Sequence, residues 1–127
     1  MMPKESEGIT EFPFFTFLFA DLHAHMMVIP FTLLVIGFGL SLVVGLKGAG
    51  RIWVFTITMA MALGMGSLWV VNSWDFPTYL ALTISLLALA VYLTDQTVAG
   101  RLALFVVLAM SVVAVAILAF LPFHQAY

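Results

Sequence analysis

The chain is 127 residues long, 65% hydrophobic and only 8% charged, where a soluble domain carries roughly 25% charged residues. A globule of this size has too little interior to hide so much apolar surface, so the composition calls for lipid as a partner. The absence of cysteine excludes disulfides and thiolate metal sites, and a net charge of −2 argues against nucleic-acid binding, which takes clustered Lys and Arg.

The start, MMPKESEG, is acidic and lacks the basic region that precedes the apolar stretch of a cleavable signal peptide. It leads into EFPFFTFLFADLHAH, which sets Glu11, Asp21, His23 and His25 against the edge of a bilayer-length apolar run. Ionisable groups are costly at hydrocarbon, so a cluster of them at a membrane boundary is a functional-site hypothesis by default. Within it, segment 11–22 is too short to span and holds five phenylalanines between Phe12 and Phe19. Two readings fit this segment equally: an interfacial or re-entrant helix, or a plain aromatic anchor.

Asp21, His23 and His25 alternate, so an extended backbone would point all three the same way. In a helix, Asp21 and His25 share a face and His23 points elsewhere. Either arrangement lets a carboxylate orient an imidazole, or lets Asp21 and His25 hold a divalent cation. Against this stands a structural reading, with Asp21 capping a helix and the histidines at headgroup level. Glu11 nearby brings the two readings level.

Four charge-free runs follow, each long enough for the ~20 helical residues a bilayer takes. The expected architecture is all-α: four transmembrane helices at about 24–46, 52–72, 76–94 and 101–122, preceded by the short interfacial helix. Continuous apolar runs of this length exclude barrel strands, and residues 1–127 read as one membrane module. Pro30 is expected to kink the first helix. Gly37, Ser41 and Gly45 form a small-residue stripe on it, and Ala60, Gly64 with Ala62, Gly66 repeat the pattern on the second. Such stripes pack against other helices, inside this chain or in another subunit.

Lys47, Arg51 and Arg101 fall in the first and third connections, which the positive-inside rule places in the cytoplasm. Both termini and the second connection then face outward, with five acids outside (Glu5, Glu7, Glu11, Asp21, Asp75) and Asp95 inside. That orientation gathers Glu11, Asp21, His23, His25, Asn72, Trp74, Asp75 and His124 on one face. For Asp75 the favoured role is structural, as N-cap of a helix with Pro77 in its first turn. Trp69 and Trp74 suit an aromatic belt, His124 has no patterned partner, and Asp95 reads as a solvated loop charge.

Two blocks, ITEFPFFTFLFADLHAHMMVIP at 9–30 and VNSWDFPTY at 71–79, resemble the signature segments of a family of uncharacterised polytopic membrane proteins from archaea and Chloroflexi-type bacteria. Ala20 and Ala24 depart from the glycine and proline common there. That family is in turn similar to the GT-C membrane glycosyltransferases, which use a polyprenyl-phosphate sugar and an acid in the first outer loop. The resemblance implies Asp21 as the outer-loop acid, assisted by Glu11 and His23. Family members are several times longer and place a helix before the first block, which implies that this chain is a fragment or one piece of a split protein. Two functions are therefore expected: a glycosyltransferase-like module at the outer face, or a non-catalytic tetraspan subunit packing on other membrane helices.

Overall fold

The structure, a computed structural model, describes residues 24–126. Four helices carry it: α1 (Ala24–Gly45), α2 (Arg51–Val71), α3 (Phe76–Tyr92) and α4 (Val98–Ala119), followed by a short α5 (Leu121–Ala126). No strand occurs among the described residues. Three helical segments, Met26–Gly48, Arg51–Val71 and Val98–Ala119, are long and apolar enough to cross a membrane; Phe76–Tyr92 is a shorter apolar helix of 17 residues. The third sequence run, expected to be helical to 94, thus stops two residues early. Arg101 secures that end: its Nη2 donates to the Thr94 carbonyl at 2.7 Å, and its guanidinium lies over the Tyr92 ring.

Local chemistry explains the other boundaries. Thr97 caps α4, its hydroxyl accepting from the Gly100 N–H at 3.2 Å. The fourth apolar run breaks at Phe120 instead of continuing to 122. Pro122 has no N–H to give the Leu118 carbonyl and its ring crowds that group, so the helix cannot simply continue. α1, in contrast, runs on through Pro30.

Each helix buries one face. On α1 this face is Val28, Thr32, Val35 and Leu42, continued by Leu46 in the single 3-10 turn that follows; on α2 it is Thr58, Met61, Ala62, Met65 and Leu68. Spacings of three, four and seven put each set on one side of its helix. The opposite faces are also apolar, with Val44, Ile52, Val107 and Leu118 all well exposed. A helix apolar all round needs a nonaqueous surrounding.

Close approaches fix how the helices run. A Cβ on Gly45 would lie 2.8 Å from Trp53, and one on Gly64 would lie 2.9 Å from Val35, so α1 and α2 are antiparallel. Gly39 of α1 is covered by Leu86 of α3, and Gly66 of α2 by Ala116 and Phe120 at the end of α4. α1 therefore runs parallel to α3, and α2 parallel to α4. The ring order is α1–α2–α4–α3, with α2 and α3 touching across the middle, where the Thr83 hydroxyl donates to the Met65 sulfur at 3.4 Å. The second small-residue stripe accordingly packs inside the chain. The first does so only in part, since Gly37 faces open space.

Candidate functional site

This packing sorts the polar residues to two ends of the bundle. One end carries Lys47, Arg51, Asp95 and Arg101; the other carries the start of α1, the turn from Asn72 to Asp75, and α5.

At the second end, Asn72 organises the turn. It closes α2, its N–H reaching the Leu68 carbonyl at 2.9 Å, and it leaves the helix with an extended backbone. Its side chain then works in both directions: Oδ1 accepts from the Trp74 N–H at 3.3 Å, and Nδ2 donates to Asp75 Oδ2 at 2.9 Å. This corrects the expected role of Asp75. The residue stands at the head of α3 with Pro77 in the first turn, but its carboxylate accepts from Asn72 and makes no cap bond to the helix. The Asn72 amide thus fixes one oxygen of a half-buried carboxylate.

An aromatic cluster supports the turn from below. Trp69 stacks at 4.5 Å between centroids on both Phe76 and His124, joining the end of α2 to α3 and α5. Each such contact is worth ~0.5–1.5 kcal/mol beyond burial. His124 thus has a partner after all, 55 positions away in sequence from Trp69 and with no periodic signal to reveal it. Its Nε2 is buried without a hydrogen bond. It borders a cavity of about 370 Å³ shared with Trp69, Asn72, Ser73 and Phe123. Trp74 projects into the surroundings at 89% exposure, as a belt residue would.

Of the residues singled out for chemistry, Glu11, Asp21 and His23 lie outside the described residues. His25 has its backbone in the first turn of α1, and its side chain too lies outside the description. No group of three or more His, Asp or Glu placed to hold a metal occurs among the described residues. At the basic end, Asp95 is exposed as expected, yet it pairs with Lys47 at 2.8 Å.

Long apolar helices in a compact ring, apolar on their outer faces and, among the described residues, charged only at the ends, define a polytopic helical membrane protein. The chain belongs to the uncharacterized membrane protein family DUF2298, whose match covers residues 5–127. No curated protein and no solved structure matches it.

Proposed function

We propose that this chain is a glycosyltransferase-like membrane module acting on a lipid-linked sugar at the outer membrane face, with all four long helices crossing the bilayer. The 17 residues of α3 sit at the lower limit for a span, and the Asn72–Asp75 turn supplies the headgroup layer at its start. One observation carries the reading: antiparallel packing of α1 on α2 brings the start of α1 level with the Asn72–Asp75 turn. Ala24 follows Asp21 by three residues, so the fold supports a shared site for two blocks some 50 positions apart.

In the proposed reaction the acceptor hydroxyl gives its proton to Asp21 as its oxygen bonds to the anomeric carbon. The bond from that carbon to phosphate breaks, and polyprenyl phosphate leaves. Glu11 and His23 assist by orienting Asp21. In the alternative role for Asp21, it would hold a divalent cation with His25 that neutralises the departing phosphate, in place of accepting the proton. The test is release of polyprenyl phosphate by membranes carrying the protein. Asp21→Asn should lower it ~100-fold or more while the fold is kept, because a general base contributes that much and Asn caps a helix as well as Asp. Undiminished release would remove Asp21 from the chemistry.

A second reading, a non-catalytic subunit of a larger membrane complex, is favoured by the open groove along Gly37, Leu40, Ser41 and Val44, which no helix among the described residues covers.

A further inference from the structure

Thr58 breaks a pattern. Six hydroxyls in the long helices, those of Thr32, Ser41, Thr56, Ser67, Ser85 and Ser111, donate to a carbonyl of their own helix one turn back. Thr83 donates to Met65. Thr58 is 2% exposed and its Oγ1 has no hydrogen-bond partner among the described residues. A buried hydroxyl left unpaired costs ~1–3 kcal/mol, so its position needs an explanation. It lines a cleft of about 460 Å³ between α2 and α4, walled by Val54, Leu104, Val107 and Leu108. The cleft runs to the basic end, where Arg51 and Gln96 form part of its lining.

Arg51 is the cation at that end with nothing to do. Lys47 pairs with Asp95, and Arg101 is bound to the Thr94 carbonyl and stacked on Tyr92. Arg51 makes no ion pair or hydrogen bond with any described residue.

We infer that the α2–α4 cleft binds an anionic glycerophospholipid, with its phosphate on Arg51 and Gln96, its acyl chain along the apolar walls, and a linkage carbonyl accepting from Thr58. The depth fits. Seven residues of helix separate Arg51 from Thr58, roughly 10 Å at about 1.5 Å per residue. One interfacial layer of a bilayer is roughly 5–8 Å thick, half the difference between its full and hydrocarbon thicknesses, and the guanidinium reach covers the remainder. A basic pocket between helices at the cytoplasmic side is suited to an anionic headgroup. A neutral lipid without a phosphate would leave Arg51 unpaired, a zwitterionic phospholipid would bring a second cation up beside Arg51, and a hydrocarbon chain alone would leave Thr58 unpaired. This site is at the opposite end from the proposed transfer site and does not depend on it.

The experiment uses the purified full chain in nanodiscs of phosphatidylcholine doped with ester-linked phosphatidylglycerol, its diether analogue, or neither. Retained lipid is measured by native mass spectrometry. The ester-linked anionic lipid should be retained preferentially, and Arg51→Gln should weaken that preference about fivefold, the equivalent of one lost cation–lipid contact. Thr58→Val keeps the shape and should erase the advantage of ester over ether linkage while leaving the anionic preference intact. Circular dichroism and elution volume confirm that both variants stay folded. Equal retention of the neutral and anionic lipids would overturn the inference. So would an anionic preference that Lys47→Gln removes as fully as Arg51→Gln, since the attraction would then be a diffuse charge effect. A second copy of the chain in the cleft, seen as a dimer that Thr58→Val disrupts, would overturn it as well.

Discussion

Gly66 and Gly37 offer a controlled test of the helix packing. A methyl group on Gly66 would collide with the Phe120 ring and come within 2.9 Å of the Ala116 carbonyl oxygen, whereas one on Gly37 meets nothing within 4 Å. Both glycines sit inside long helices, so replacing either with alanine yields the same backbone gain, ~0.5–1 kcal/mol. Only Gly66→Ala adds the overpacking cost, ~1–3 kcal/mol, because the Phe120 ring can swing away but a helix carbonyl cannot. The backbone terms cancel when the two variants are compared. Gly66→Ala should therefore unfold more easily than Gly37→Ala by ~1–3 kcal/mol in an SDS titration of protein in mixed micelles. If the two variants agree within ~0.5 kcal/mol, α4 does not lie on Gly66 as described, and the ring order of the bundle fails with it.

Two further outcomes are expected. Single cysteines at Ser73 and Gln125 should react with an impermeant thiol reagent from outside the cell and one at Gly48 should not, given the gathering of Lys47, Arg51 and Arg101 at the opposite end; labelling at Gly48 alone would invert the orientation. Asn72→Ala should cost about 1 kcal/mol in the same titration through loss of its bonds to Trp74 and Asp75. Asn72→Asp should cost at least as much, since it sets a second carboxylate against Asp75; a milder effect would place Asp75 elsewhere.

Helix identity was plain in the sequence because apolar runs of bilayer length have few alternative folds. Which helix touches which was not. The connection between α2 and α3 is only four residues long, yet their main partners are α1 and α4, because Gly64 and Gly66 lie next to one another's flank and admit Val35 on one side and Ala116 on the other. Small residues announce close packing but do not name the partner. Helix ends set by one side chain were also hidden: Thr97 is a legible cap, whereas the Arg101 bond to Thr94 depends on a turn that brings residue 101 back over 94.

The same distinction governs the polar ends. Asp75 looked like a helix cap because Asp before a proline-containing turn usually is one. The competing donor, Asn72, was visible three residues earlier, and an amide that close outcompetes the backbone N–H groups that water can serve at a helix start. His124 could not be assigned from sequence at all, since its contact with Trp69 exists only once Pro122 has turned the chain back over the end of α2. Pro122 and Asn72 thus act together: one folds α5 inward, the other holds the α2–α3 turn, and between them they enclose the cavity beside Trp69. In the proposed reaction these two short-range devices set the shape of the surface beside the start of α1.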